Sequence, residues 1–175
     1  MKRIFNTLCA LLVCVACFAE LTSTLHNFES SDPSIGPTGY EESYTICHMG
    51  DGTTYTCKSG AVFAINPSTS AVCISIPVGG VVEVSPAREG LTSFTVTHNS
   101  ISGGANMKLY TSTDGDSWTE IPEGQLDRKN DHVEATNLSG NCYVKLENTA
   151  VSGTIYVRFI TYYTNPCHCL KVVSE

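Results

Sequence analysis

Residues 106–121, NMKLYTSTDGDSWTEI, have the pattern of two short strands joined by a tight turn. An Asp-Gly pair between segments of alternating polarity is a strong signal for a β-hairpin. A three-residue loop at 114–116 would set Leu109 opposite Ile121, both on the apolar face. A two-residue turn would set Leu109 opposite Glu120 instead. Because a slip of one residue moves every side chain to the other face, the pattern favours the longer loop.

Segments with strand-like composition recur along the rest of the chain, each bounded by Gly, Pro, Asn, Asp or Ser. The segments between them carry no helical period of hydrophobic residues, so α/β units are not expected. This organisation predicts an all-β fold, an antiparallel β-sandwich. The strand candidates are residues 43–48, 54–58, 61–65, 71–76, 81–85, 92–98, 106–112, 117–121, 132–136, 142–147, 154–163 and 168–173.

The first 19 residues have the order of a secretory signal peptide. They begin with Lys2 and Arg3, continue as an apolar stretch and end on small residues before Glu20. This order predicts cleavage before Glu20 and a secreted or cell-surface protein. The stretch is too short for a comfortable membrane-spanning helix. Lipoprotein anchoring through Cys17 is the second alternative.

The remaining chain divides by composition into a leader and one domain. Residues 20–42 are rich in Ser, Thr, Pro, Gly and Glu, which predicts a flexible N-terminal segment, and 43–175 are long enough for a single core. Without residues 1–19 the chain keeps eight basic and 17 acidic residues, a net charge of −9. An acidic chain makes nucleic acid or an anionic membrane an improbable partner.

Six cysteines follow the leader, which is compatible with disulfides in an exported protein. A three-residue loop at 51–53 would set Cys47 directly opposite Cys57, so we expect a bridge across that hairpin. A zinc site is disfavoured because the CHC run at 167–169 lacks the usual Cys-x2-Cys spacing. The sequence leaves open the pairing of Cys73, Cys142, Cys167 and Cys169.

Two motifs give the chain a family resemblance. STDGDSWT at 112–119 is followed about 35 residues later by TIYVRFI at 154–160. Residues 80–173 thereby resemble the closing half of galactose-binding-like jelly rolls, which include discoidin-type domains and carbohydrate-binding modules. The sequence as a whole also resembles small secreted proteins of Bacteroidetes. The resemblance implies a jelly-roll sandwich that binds carbohydrate, but it transfers no sugar-binding residue set to this sequence.

Trp118 is the only tryptophan, and it is the first candidate ligand residue. The three-residue loop would place Trp118 and Tyr110 together on the face opposite Leu109, where they could stack on a sugar ring. The alternative is that Trp118 packs over its own hairpin, as most large aromatic residues pack on their neighbours.

The candidate strand 154–163 has two unequal faces. One face holds Ile155, Val157, Phe159 and Thr161. The other face holds Tyr156, Arg158, Ile160 and Tyr162. The first set is the better core, so the second is expected to face outward. There, Tyr156, Arg158 and Tyr162 would either line a ligand-binding face or be covered by another segment of the chain.

Metal binding and catalysis have little support in the sequence. Asp114 and Asp116 could contribute to a calcium site, but two carboxylates are too few and Asp is a favoured turn residue. Neither a G-x-S-x-G elbow nor an H-E-x-x-H motif is present. We therefore expect a non-catalytic module that binds carbohydrate or another extracellular ligand, without a cofactor. A structural or adhesin-like domain with a protein partner is the first alternative, and a small secreted hydrolase is the second.

Overall fold

A computed structural model of the chain describes residues 21–99 and 107–165, in which fourteen strands and one turn of 3-10 helix occur. The first seven strands are β1 (Thr22–Asn27), β2 (Pro37–Glu41), β3 (Ile46–Met49), β4 (Thr54–Lys58), β5 (Val62–Ile65), β6 (Val72–Ile76) and β7 (Val81–Arg88). They are followed by β8 (Leu91–His98), β9 (Met107–Ser112), β10 (Thr119–Glu120), the 3-10 turn (Glu123–Gln125), β11 (Leu126–Arg128), β12 (His132–Ala135), β13 (Cys142–Asn148) and β14 (Ile155–Thr164).

The strands form two antiparallel sheets of seven strands each. Sheet A has the order β11-β12-β8-β14-β6-β5, with β1 also paired to β14. Sheet B has the order β10-β9-β13-β7-β4-β3-β2. The two sheets pack through one apolar core, so the predicted all-β antiparallel sandwich is confirmed.

Strand β14 is flanked along one edge by two strands placed end to end. Its first residues pair with β6, from Ile155 opposite Ile76. Its later residues pair with β1, from Phe159 opposite Asn27 to Thr164 opposite Thr22. The N-terminal strand therefore extends the sheet only beside the second half of β14.

The core follows from alternation of side chains along the strands. Phe94, Val96 and His98 share the inward face of β8 and are all buried. Leu109 of β9 is paired with Leu146 of the neighbouring strand β13, and both are completely buried. Eleven of the twelve strand candidates overlap observed strands, and the twelfth, 168–173, lies outside the described residues.

The segment 20–42, which the sequence predicts to be flexible, contains two strands in its described part. Residues 22–27 and 37–41 form β1 and β2, and Phe28 between them is buried in the core. The connecting loop also packs tightly, since a Cβ atom at Gly50 would collide with the Pro33 carbonyl. The strand β1 is hard to recognise in the sequence because its inward-facing residues are Thr24 and His26 rather than apolar residues.

The predicted Cys47–Cys57 disulfide is wrong. Met49 N–H donates to the Thr53 carbonyl at 2.8 Å, so the three-residue loop is 50–52 rather than 51–53. Gly52 has φ +85° and takes the last loop position, where a left-handed residue closes such a turn. Cys47 therefore faces Tyr55. Both cysteines are buried free thiols, as are the other two described cysteines, Cys73 and Cys142.

The predicted signal peptide lies outside the described residues, as does the alternative lipidation site at Cys17. Within residues 21–99 and 107–165, no helix is long and apolar enough to cross a membrane.

Candidate functional site

The hairpin formed by β9 and β10 has the register that its sequence predicts. Thr111 pairs with Thr119, and Ile121 N–H donates to the Leu109 carbonyl at 2.8 Å. Leu109 and Ile121 are both buried in the core. The turn is wider than predicted, because the ladder ends at the Thr111–Thr119 pair and leaves 113–118 as a loop.

Asp114 organises this loop with one carboxylate oxygen. Its Oδ1 accepts hydrogen bonds from the main-chain N–H groups of Asp116 (2.9 Å) and Ser117 (2.7 Å), and from the Ser112 hydroxyl (2.7 Å). These bonds, the one from Ser117 N–H first, hold the pKa of Asp114 well below its usual range. Gly115 takes φ +83° between them. One of the two Asp114 carboxylate oxygens is therefore engaged in shaping the turn.

The described residues offer little else to a metal ion. No group of three or more His, Cys, Asp or Glu side chains in 21–99 and 107–165 lies in a metal-binding arrangement. Asp116, the other calcium candidate, is an exposed loop residue. His48 and Cys47 lie on opposite faces of β3, and the CHC run at 167–169 lies outside the described residues.

Tyr110 and Trp118 lie together on the outer face of sheet B, and both are half-buried. The Nζ atom of Lys145 lies 4.1 Å from the Tyr110 ring centroid and 5.0 Å from the Trp118 ring centroid. Lys145 is opposite Tyr110 in the ladder between β13 and β9. Burial, followed by a hydrogen bond to Glu147, raises the pKa of Tyr110 to about 12. Two aromatic rings thus share one ammonium group.

A shallow depression of about 180 Å³ adjoins Trp118; we call it the Trp118 depression. The loop of the hairpin meets the sheet here, and a Cβ atom at Gly115 would lie 3.6 Å from the Tyr143 ring. The surface combines two aromatic rings with hydroxyl and carboxylate groups. The lining residues are Thr56, Glu83, Val84, Ser85, Asp114, Gly115, Asp116, Trp118 and Tyr143.

The predicted row Tyr156, Arg158, Ile160 and Tyr162 does not exist, because β14 carries a β-bulge. Its register against β8 shifts by one residue between Val157 and Phe159. Ile160 and Tyr162 are consequently completely buried. A bulge inserts one residue and so exchanges the two faces of a strand beyond it. Tyr162 has no surface to offer a ligand, and Phe159 takes an outward position.

Arg158 lies at the bulge and binds a side chain from the N-terminal segment. Its Nε and Nη2 atoms donate to the two carboxylate oxygens of Glu29 at 2.8 and 2.9 Å. This bidentate pair is the strong geometry for arginine and carboxylate. This ion pair connects the loop after β1 to the outer side of sheet A. Tyr156, two residues before Arg158, is half-buried.

A second polar cluster joins the two sheets, and sequence reasoning did not detect it. It consists of His26, Asp51, Tyr55, Arg88 and Tyr162, which we call the His26 junction. His26 Nε2 lies 3.0 Å from Asp51 Oδ2, and His26 Nδ1 lies 2.6 Å from the Tyr55 hydroxyl. The Tyr55 and Tyr162 hydroxyls are 3.0 Å apart. These residues come from four strands and one loop, so no local pattern could reveal them.

Two groups compete for Nε2 of His26: Asp51 Oδ2, which only accepts, at 3.0 Å, and Arg88 Nη2, which only donates, at 3.3 Å. In the tautomer that satisfies the shorter contact, Nε2 carries the proton and donates to Asp51. Nδ1 then accepts from the Tyr55 hydroxyl, whose oxygen accepts in turn from Tyr162. Burial lowers the pKa of His26, and the nearby Arg88 charge adds to the shift while Asp51 opposes it. The ring is therefore held neutral.

Arg88 closes the junction toward solvent. Its guanidinium donates to Asp51 Oδ2 at 3.0 Å and to Thr53 Oγ1 at 2.5 Å, and it lies 4.2 Å from the Tyr162 ring centroid. Burial raises the pKa of Asp51, but hydrogen bonds from Thr53 and the Arg88 charge outweigh it and leave that pKa well below its usual range. The order Asp, His, Tyr has the connectivity of a proton relay. Tyr55 at its end is completely buried, however, so no substrate could reach it.

Comparisons with known proteins add little to this description. No family model matches the chain, and no curated protein matches it. Among solved structures, the chain is similar to the catalytic unit of thermostable GH87 alpha-1,3-glucanase from Streptomyces thermodiastaticus strain HF3-3, with 14% sequence identity and a TM-score of 0.41. The match covers 83% of this chain but only 26% of that one. Such a score supports no statement about function, and the galactose-binding-like type has no support from these comparisons.

Proposed function

We propose that the chain is a secreted, non-catalytic sandwich module that binds carbohydrate at the Trp118 depression. The observation that carries the proposal is the half-buried Trp118 beside a surface of hydroxyl and carboxylate groups. Sugars need an apolar ring to stack on and polar groups that exchange hydrogen bonds with their hydroxyls. The order of residues 1–19 supports secretion, and the motifs at 112–119 and 154–160 support the galactose-binding-like type.

The depression suits one sugar ring better than a long chain. Its volume of about 180 Å³ is below the usual range of enclosed small-molecule pockets, roughly 300–1,000 Å³. Thr56 and Ser85 supply hydroxyl groups on the sheet, and Asp116 supplies an exposed carboxylate from the loop. A shallow site of this kind favours weak binding to a ring within or at the end of a glycan.

A protein-binding role is the second candidate, and a different surface favours it. A mainly apolar groove of about 340 Å³ adjoins β5, an edge strand of sheet A. Ile65 and Tyr44 on this groove are 65% and 54% exposed. Exposed apolar groups along a sheet edge are typical of surfaces that another chain covers.

A glycan array with residues 20–175 tests the proposal. We expect wild-type protein to bind a defined subset of glycans and Trp118→Ala to lose roughly two- to twelvefold in affinity, since stacking on an aromatic ring contributes roughly 0.5–1.5 kcal/mol. Tyr44→Ala is the matched control, because it removes an exposed aromatic residue from the β5 groove. Equal binding by wild type and Trp118→Ala would contradict the proposal, and loss of a protein partner in Tyr44→Ala would favour the second candidate.

A further inference from the structure

We propose that the Trp118 depression selects glycans that carry a protonated amino group, such as glucosamine-type sugars, and rejects anionic glycans. This inference rests on the glycan-binding function proposed above and adds the charge of the ligand to it. The amino group would pair with carboxylates of the depression, while the ring contacts Trp118.

The charge of the lining carries the inference. Three of its nine residues, Glu83, Asp114 and Asp116, are acidic, and none of the described lining residues is a lysine or arginine. Asp114 stays ionised because its pKa lies well below its usual range. The whole chain is acidic as well, with a formal net charge of −7. The lining carboxylates and the net charge of the whole chain therefore both contribute negative potential in the depression.

Lys58 and Lys145 each contact residues that line the depression. Lys58 Nζ lies 2.6 Å from Glu83 Oε2, so this pair is locally neutral. Lys145 directs its ammonium toward the rings of Tyr110 and Trp118. The Lys145 ammonium keeps its charge, because the rings that it contacts carry none, but Lys145 is not among the residues that line the depression. A ligand carboxylate at the loop would face Asp114 and Asp116.

Asp116 is the carboxylate best placed to meet an incoming amine. Its main-chain N–H is bound by Asp114 Oδ1 at 2.9 Å, which fixes the backbone beneath it, and its side chain is exposed. Trp118 is two residues further along the same loop. The loop thus presents an aromatic ring and a carboxylate to one ligand.

The test compares three oligosaccharides of equal length with residues 20–175. They are a β-1,4-linked glucosamine oligomer, its fully N-acetylated counterpart and an oligogalacturonate. We expect the amine oligomer to bind about five- to tenfold more tightly than the acetylated one, because one or more partly exposed ion pairs form. We expect no measurable binding of the galacturonate. Raising the ionic strength from about 20 mM to about 500 mM should remove the preference for the amine without removing binding of the neutral oligomer.

Variants locate the effect. Asp116→Asn should lower the ratio of the affinities for the amine and acetylated oligomers by about threefold. Asp127→Asn is the control, because Asp127 is a half-exposed acid of sheet A paired with Lys129. Equal affinity for the amine and acetylated oligomers, or tight binding of the galacturonate, would overturn the inference and leave glycan binding intact. Absence of binding to every oligomer and to the glycan array would overturn both.

Discussion

The β9–β10 hairpin and the His26 junction are built in opposite ways. The hairpin closes through residues that are close in sequence, with Asp114 bonding to its own loop and Leu109 facing Ile121. The junction closes through residues from both sheets, with His26 and Tyr162 more than 130 positions apart. The first arrangement is specified locally, and its loop lies at the surface, where single changes are tolerated. The second depends on the completed fold, and its buried polar groups are costly to leave unpaired.

The largest expected effect follows from removing the carboxylate of the junction. Asp51→Ala removes the carboxylate that His26 and Arg88 share, so the free energy of unfolding should fall by about 2–3 kcal/mol. The expected loss is below that of a fully buried pair because the Asp51 side chain is 30% exposed. Urea unfolding followed by circular dichroism measures it. Asp116→Ala in the hairpin is the control, and a similar loss there would contradict the contrast.

Two isosteric tyrosine changes sharpen the comparison. Tyr55→Phe removes the hydroxyl that connects His26 and Tyr162, and should cost about 1–2 kcal/mol because buried partners lose their hydrogen bonds. Tyr110→Phe removes a hydroxyl on the outer face of sheet B, where water replaces the lost partner, and should change stability by less than about 0.5 kcal/mol. Parallel denaturant titrations give both values. Equal losses would show that burial does not separate the two regions.

As the pH falls, the His26 junction should begin to lose stability at a higher pH than the pH at which carboxylates become protonated. The pKa of His26 is lowered in the folded protein from its usual 6.5, so the unfolded chain binds the proton first. Stability is then complete above about pH 6.5 and falls as pH decreases toward the folded pKa, by at most about 1.4 kcal/mol per pH unit.

The pH effect is measured as the free energy of unfolding of wild type and His26→Gln between about pH 7.5 and pH 5. The variant should be less stable at neutral pH but lose the slope that wild type shows below pH 6.5. His48→Gln, which alters a partly exposed histidine of β3, should retain the wild-type slope. A slope that survives in His26→Gln would assign the pH dependence to other groups.

The smallest expected effect belongs to the hairpin loop. Gly115→Ala places a side chain at φ +83°, which should cost about 1 kcal/mol. Gly124→Ala is the control, because a Cβ atom there meets no atom within 4 Å and its φ is not in the left-handed region. Thermal unfolding of the two variants measures the difference. Equal melting temperatures would indicate that the loop adapts its backbone.

Local pattern predicts the structure only where local forces determine it. Leu109 and Ile121 could be paired from sequence because only one register buries both. The faces of β14 could not be assigned beyond Val157, because nothing in TIYVRFITYY marks the bulge that turns Ile160 and Tyr162 inward. The bulge depends on β8, which is far away in the chain.

The same limit explains the candidate ligand residues and the cysteines. Tyr110 and Trp118 were brought together because both belong to one hairpin. Tyr162 was assigned to the outer face because the sequence does not reveal the bulge that turns it inward. The Cys47–Cys57 prediction was wrong because Gly52 takes the last position of the loop rather than the middle one. Moving the loop by one residue changes the residue opposite Cys47 by two positions, from Cys57 to Tyr55. The His26 junction had no signal at all in the sequence.

The pairing of β1 with β14 also determines how the domain would respond to tension. Thr22 lies opposite Thr164, and their hydroxyl oxygens are 2.9 Å apart, so the start of β1 and the end of β14 lie side by side. A pull applied between these two points would separate the strands one rung at a time, starting at that pair, as a zipper opens. Strands loaded along their length must break many hydrogen bonds together, whereas this geometry breaks them in sequence. Tethered from both sides, the domain would yield first at β1, and the remaining strands of sheet A would still be paired to one another.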